Sequence, residues 1–337
     1  MSPEELLSTW TKLTEATPSQ TGMQRIRLDI DAAADIFACI FWPSRRPGLL
    51  IEGEGSYRPV GDRIPTCRGV RMVHEILPSP EPRTLLRVML EEEDLFDIFA
   101  VMSADLVSAT ATQPSAASAL RRCIDRLCMW QGLFEKIPAE GLSEDRQRGL
   151  LGELLVLESL FLPRVSEIEA IDAWTGPDPA HQDFIRGGLA VEVKTSLAKR
   201  HARIQIANEK QLDDRPHEVL LLAFLRLDES AAHGDSLPAA VARVRQRVGG
   251  VPGAAQVLDD RLALSGYLDV HAPRYIRNRW QCSERRYFRV TGDFPRLTEA
   301  NLPAGVGDIR YSIIADDLGE HEMLEDEVST IVGKFDG

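Results

Sequence analysis

Residues 183–194, Asp183-Phe184-Ile185-Arg186-Gly187-Gly188-Leu189-Ala190-Val191-Glu192-Val193-Lys194, carry residue types at a spacing that can do chemistry. Gly-Gly tolerates positive φ at both central turn positions, so Gly187-Gly188 predicts a two-residue hairpin loop and sets a register. In that register Arg186 faces Leu189, Ile185 faces Ala190, Phe184 faces Val191 and Asp183 faces Glu192. Strand side chains alternate, so Glu192 and Lys194 share one face while Phe184, Val191 and Val193 share the other. Directly opposed carboxylates lie with Cβ atoms about 4.5–5.5 Å apart and repel. A shared proton, a cation or solvation of both ends offsets that repulsion. Mg²⁺ suits such a pair, because it takes oxygen ligands, commonly one or two carboxylates plus substrate phosphate. A lysine beside it can position or help deprotonate a water, or stabilise charge on a phosphate. The plain alternative is an ordinary exposed hairpin with one cross-strand lysine–carboxylate pair, since a D…E-x-K string is short and common.

The elements around the hairpin must position it. Residues 143–161 predict a helix opened by Ser143-x-x-Arg146 and apolar nearly all round, hence buried. It carries two acids, Glu153 and Glu158. A buried unpaired carboxylate is costly, so Glu153 needs a partner or a metal site to reach, unless it lies at the helix edge in water. Residues 168–174 predict a strand, followed by a turn rich in Gly and Pro. After the hairpin come a short strand at 203–206, a short helix capped by Asn208 and containing Gln211-Leu212, and an apolar run at 218–225 suited to a central strand covered on both faces. The predicted order is helix, strand, strand, strand, helix, strand.

With Asp183, Glu192-Val193-Lys194 on the next strand and Glu153 in the preceding helix, this order resembles the PD-(D/E)XK nuclease superfamily. Further motifs sharpen the likeness: Gly149-Leu150-x-Gly152-Glu153-Leu154, Trp174-x-Gly176-Pro177, Asp183-Phe184, Val191-Glu192-Val193-Lys194-Thr195, Gln211-Leu212 and Phe294-Pro295-Arg296-Leu297. They resemble a PD-(D/E)XK family associated with bacterial restriction and phage-defence loci. The resemblance covers roughly 145–315 well and the N-terminal part more loosely. One departure is Gln182, which stands before Asp183 where the superfamily pattern has proline. The resemblance implies that Asp183 and Glu192 bind Mg²⁺, with Mn²⁺ able to substitute. It implies that Lys194 orients or activates the attacking water, that Glu153 is a further ligand or water anchor, and that Gln211 is an accessory polar group. The implied chemistry is in-line hydrolysis of a phosphodiester.

Elsewhere the chain supplies context. Residues 1–16 predict an amphipathic helix anchored by Trp10. Alternating runs at 25–30, 36–41, 70–76, 84–90 and 96–101, separated by Pro and Gly turns, predict an antiparallel β module over 1–112. A helix at 115–138 lies in a connector over 113–142, and the nuclease-like domain with a C-terminal extension occupies 143–337. Helices at 237–248 and 253–264 and strands at 287–290 and 309–314 are expected to extend the nuclease sheet or build a DNA-facing lobe. The expected fold class is α+β or α/β: the β module plus a restriction-endonuclease-like core, αβββαβ, with a mixed sheet flanked by helices.

Phosphate contacts are expected from Lys199, Arg200 and Arg203 and from Arg274, Arg277, Arg279, Arg285 and Arg286, with Tyr275, Trp280 and Tyr287 interleaved for base stacking. The alternative is a solvated strand pair whose arginines meet acidic surface. The acidic segment 316–327 is expected to be a solvated tail.

The 337 residues are 44% apolar and 27% charged, as in a globular protein, with a net charge of −13 that argues against a surface coated for nucleic acid but permits a local basic groove. No apolar run approaches the ~20 residues of a membrane helix. The acidic start lacks a signal peptide's apolar stretch, and five scattered cysteines form no Cys-x-x-Cys. A reducing, cytoplasmic setting without membrane partners is expected. The function expected is a Mg²⁺-dependent DNA endonuclease of a restriction or defence system, with DNA as partner. Other defence subunits are further candidate partners, and a homodimer would suit cutting of two strands. The rivals are a nuclease-like subunit that binds but cuts poorly or not at all, and a purely structural α/β protein.

Overall fold

Period-two apolar runs build the first half of the chain into a sheet, and helices pack against it. The structure, a computed structural model, describes residues 1–15, 21–59, 64–136, 140–178, 180–197, 201–230 and 232–335. It divides into two units, Met1–Gly141 and Leu142–Gly337.

In the first unit, strands β1 (Gly22–Arg27), β2 (Asp35–Trp42), β3 (Arg46–Glu54), β4 (Val70–Leu77) and β5 (Arg83–Leu90) form a five-stranded antiparallel sheet in the order β1-β2-β3-β5-β4. Helix α1 (Pro3–Glu15) is capped reciprocally: the Ser2 hydroxyl accepts from the Glu5 N–H, and the Glu5 carboxylate accepts from the Ser2 N–H. As expected, Trp10 anchors it in the core, donating its indole N–H to Gly48 O at 3.1 Å. Residues 96–101, expected as a strand, instead begin helix α2 (Phe96–Ala111). Ile98, Phe99, Ala100, Met102, Ala104, Leu106 and Val107 are all buried, so the helix is enclosed nearly all round. Such a helix shows no clean 3.6-residue period, and a six-residue window of it reads like a strand. Helix α3 (Ala116–Lys136) packs on α2 and β3 within this unit.

In the second unit, α4 (Glu144–Val156) is capped by the Ser143 hydroxyl and runs on through a wider π turn at Leu157–Phe161. Helix α5 (Glu167–Ala173) follows, over residues expected to be a strand. Its start is a capping box, in which Ser166 and Glu169 satisfy each other's backbone N–H, and this outweighs the apolar alternation of 168–174. Strands β6 (Phe184–Arg186) and β7 (Leu189–Ser196) form the hairpin, in the predicted register. After β8 (Arg203–Ile206) the chain makes turns, not the expected short helix: Asn208 Oδ1 accepts from the Lys210 N–H at 2.9 Å. Then come β9 (Val219–Glu229), α6 (Leu237–Val248), α7 (Ala254–Leu264), α8 (Ala272–Tyr275), β10 (Trp280–Arg289), β11 (Tyr311–Ile314), β12 (Glu322–Met323) and α9 (Glu325–Val332).

The main sheet is mixed, in the order β12-β10-β9-β7-β6. Only the β7–β9 pair is parallel within it. Leu221, Ala223 and Leu225 of β9 pack with Leu154, Val241 and Leu258 of the helices. Leu220, Leu222 and Phe224 pack on the opposite side with Ile204 and Ile313 of the two-stranded β8–β11 sheet. β9 is therefore covered on both faces, as its unbroken apolar run predicts. The architecture is α+β, with antiparallel and mixed sheets flanked by helices. Among the described residues no helix is long and apolar enough to cross a membrane.

Candidate active site

β7 splits the two cores. Val191 and Val193 point into the helix-covered core with Phe184, and the alternate residue Ala190 points into the other core. Glu192 shares that second face and is 1% exposed. The Lys194 ammonium, on the same face, meets Glu192 Oε1 at 2.5 Å. Asp183 sits just before β6, and its Oδ2 accepts the Val193 N–H at 2.7 Å. Its backbone carbonyl accepts from Thr175 N at 2.8 Å and Gly176 N at 2.9 Å.

Glu153 comes from α4, which approaches β7 closely: a Cβ on Gly152 would lie 2.4 Å from the Thr195 methyl. Its Oε2 accepts the Trp174 indole N–H at 2.7 Å. The other acid of this helical stretch, Glu158, goes elsewhere, accepting three hydrogen bonds at 3.1–3.4 Å from Arg243.

Electrostatics joins these four groups into one site. Burial pushes the Glu153 carboxyl up to about 8, with the Asp183 charge adding to it and the Trp174 N–H and Lys194 opposing. Burial likewise raises Asp183 against the pull of Lys194 and the Val193 N–H, and raises Glu192 strongly, with Asp183 and Glu153 reinforcing. Burial alone would lower Lys194, but Glu192, Asp183 and Glu153 outweigh it and hold the ammonium above its ordinary value. Among the described residues three carboxylates face one ammonium, so ionising every acid leaves two negative charges uncompensated. Protons or a cation must make up the difference.

Whether a divalent cation fits is answered by Glu192. Among the described residues its Oε2 is buried without a hydrogen-bond partner, a hard oxygen beside the Asp183 charge. The donor set, carboxylate oxygen with no thiolate or imidazole, is the kind Mg²⁺ takes. Among the described residues, however, no group of three or more His, Cys, Asp or Glu side chains is placed to hold a metal ion. A cation here would rest on at most two carboxylates, and water or phosphate would have to complete its oxygen shell.

Gln211 is not drawn into this group by any hydrogen bond among the described residues; its Oε1 accepts the Ala207 N–H at 2.8 Å. The turn that carries Gln211 is instead tied to the residue before Asp183: the buried Gln182 carboxamide donates to Lys210 O at 2.9 Å and Gln211 O at 3.2 Å. Lys199 and Arg200 lie outside the described residues. Arg203, Arg274, Arg277 and Arg279 are exposed. Arg286 is tied to Glu322 at 2.7 and 3.0 Å and to Ala315 O, and Arg285 lies 3.6 Å from Glu325. The aromatics between them do not offer faces to bases: Tyr275, at the end of α8, and Trp280 and Tyr287, on β10 with a bulge between Cys282 and Glu284 that resets the alternation, are 1–3% exposed in the core. Glu322 and Glu325, in the segment expected to be a solvated tail, are ion-pair partners of those arginines.

Trp174 is the residue whose part in the site sequence reasoning missed. It stood in a motif, Trp174-x-Gly176-Pro177, but an indole in an apolar setting carries no sign of a carboxylate acceptor.

Nothing among the curated proteins or the solved structures matches this chain. A family model described as "Putative PD-(D/E)XK family member, (DUF4420)" matches residues 6–316, across both units and every acid of the site. The chain belongs to that family.

Proposed function

We propose that this protein is a Mg²⁺-dependent DNA endonuclease, and that α4, β6, β7 and β9 serve as its PD-(D/E)XK core. One observation carries the reading: the buried Glu192 carboxylate has one oxygen on Lys194 and the other, among the described residues, without a hydrogen-bond partner, beside the half-buried Asp183. Leaving a buried carboxylate oxygen unpaired costs about 1–3 kcal/mol, a cost that a bound cation would offset.

Asp183 and Glu192 would hold Mg²⁺, which when bound supplies charge stabilisation at the phosphoryl oxygens and an acidified water. Lys194 holds its proton at Nζ among the acids and is placed to orient the attacking water or meet a phosphate oxygen. Glu153, fixed by the indole, serves as a water anchor. Exposed Arg203, Arg274, Arg277 and Arg279 supply phosphate contacts, with Lys199 and Arg200 as further candidates. Arg285 and Arg286 act structurally, through their acidic partners. The natural setting for such an enzyme is cytoplasmic restriction or phage defence, acting alone, as a homodimer or with other defence subunits.

A plasmid-nicking assay with Mg²⁺ or Mn²⁺ tests this. The wild-type chain should cut, and Asp183→Ala and Lys194→Ala should not. Salt-sensitive DNA binding without cutting in all three would favour a nuclease-like binding subunit instead.

A further inference from the structure

Residues 174–176 hold two acids of the site at once. The Trp174 indole N–H bonds Glu153 Oε2 at 2.7 Å, while the backbone N–H groups of Thr175 and Gly176 bond the Asp183 carbonyl at 2.8 and 2.9 Å. Trp174 also bridges to Phe184, the residue after Asp183, and the Thr175 hydroxyl bonds Gln182 O at 3.0 Å. The segment closes tightly over the Glu153 carboxylate. A Cβ on Gly176 would lie 2.5 Å from Glu153 Oε2 and 3.2 Å from the indole nitrogen.

A core tryptophan needs an acceptor for its N–H, and a backbone carbonyl is the inexpensive choice. Trp10 shows that choice, bonding Gly48 O. Trp174 is 0% exposed yet bonds a carboxylate whose neighbours include two further acids, Asp183 and Glu192. Holding an acid among like charges is unfavourable unless its position serves the site.

We infer that Trp174 is a positioning residue for the acidic site: its indole binds Oε2 of Glu153 and leaves Oε1 to serve the metal–water cluster, and Gly176 keeps clear the space the carboxylate occupies. This rests on the metal-dependent reading above and adds to it a residue outside the acid–lysine set.

The test uses the full chain and Mg²⁺ itself as probe. Trp174→Phe keeps a buried ring and removes the donor. Gly176→Ala leaves the indole in place and crowds Glu153 from an exposed position. Partners that orient metal ligands typically contribute about 10–100-fold in affinity. Both variants should therefore bind Mg²⁺ about 10-fold or more weakly by calorimetry, and need correspondingly more Mg²⁺ for half-maximal cleavage. The rate at saturating Mg²⁺ should be largely recovered in Trp174→Phe. In ¹⁵N-labelled wild-type protein the Trp174 indole resonance, assigned by its loss in Trp174→Phe, should move on Mg²⁺ addition. Unchanged Mg²⁺ affinity in both variants overturns the positioning role alone. A wild-type chain that binds no Mg²⁺ and cannot be told from Asp183→Ala overturns the site reading beneath it.

Discussion

Each unit holds a carboxylate bonded by a tryptophan indole, and the two are built to opposite ends. In the first unit Asp105 receives Arg126 through two hydrogen bonds of 2.8 and 2.6 Å, and the Trp130 N–H at 2.8 Å. One carboxylate meets one guanidinium in the fork geometry that suits it, and its oxygens are satisfied. In the second unit Glu153 receives the Trp174 N–H, but beyond it stand Asp183 and Glu192, and among the described residues Lys194 is the cation that acts on all three acids. Charge neutrality and filled hydrogen bonds mark the first cluster as architecture. Surplus charge and an oxygen unpartnered among the described residues are what the proposed metal-binding role of the second would use. The same local motif, indole on carboxylate, thus says nothing about function until the whole charge count around it is known.

Experiments can break or sharpen that contrast. The largest effect is on catalysis: Asp183→Ala or Lys194→Ala should lower Mg²⁺-dependent cleavage by about 10³-fold or more, since metal and charge stabilisation supply several kcal/mol at about 1.4 kcal/mol per tenfold. Equal nicking rates in mutant and wild type would erase the distinction between the clusters. Next is stability of the first cluster. Asp105→Ala removes two charge-assisted hydrogen bonds from a nearly buried guanidinium and should destabilise that unit by about 1–3 kcal/mol in urea titrations, without any Mg²⁺ dependence.

The third is pH. The Glu153 carboxyl is held up at about 8 in the folded chain against an ordinary 4.5. Between those values the folded protein keeps a proton that the unfolded chain releases. Stability of the metal-free protein should therefore fall as pH rises from about 4.5 to about 8, by at most about 1.4 kcal/mol per pH unit for one proton. Saturating Mg²⁺ should flatten or reverse that slope, because it favours ionised ligands. Thermal unfolding in EDTA and in Mg²⁺ across this range reads it directly. The smallest effect is Asp183→Asn, which can still accept the Val193 N–H but removes one like charge. In EDTA it should raise stability by about 1 kcal/mol, while abolishing the gain from Mg²⁺. The matching Asp105→Asn should do the opposite and destabilise.

What could be read in advance followed from short-range rules. The hairpin register came from Gly187-Gly188 and alternation, and Phe184, Ile185 and Arg186 pair as those rules require. The apolar run of β9 announced a doubly covered strand. Two elements were misread for physical reasons. Residues 96–101 belong to a helix buried on most sides, where the amphipathic period vanishes. Residues 168–174 show strand-like alternation but follow Ser166-x-x-Glu169, a capping signature that was legible and overlooked. The expected stacking aromatics failed differently: their spacing fits a nucleic-acid surface as well as it fits the core side of β10, and only packing decides.

By itself the sequence determined the hairpin, the alternation that puts Glu192 and Lys194 on one face, and an inventory of more acids than bases in the site's motifs. Those are properties of neighbours along the chain, where geometry follows from two or three dihedrals. Tertiary structure decided that Glu153 lies among Asp183 and Lys194 while Glu158 pairs with Arg243. It also decided that Gln211 bonds its own turn, and that an indole 21 residues away bonds the helix acid. Those outcomes depend on which surfaces a folded chain brings within hydrogen-bond distance, and no local pattern encodes a contact between segments that far apart.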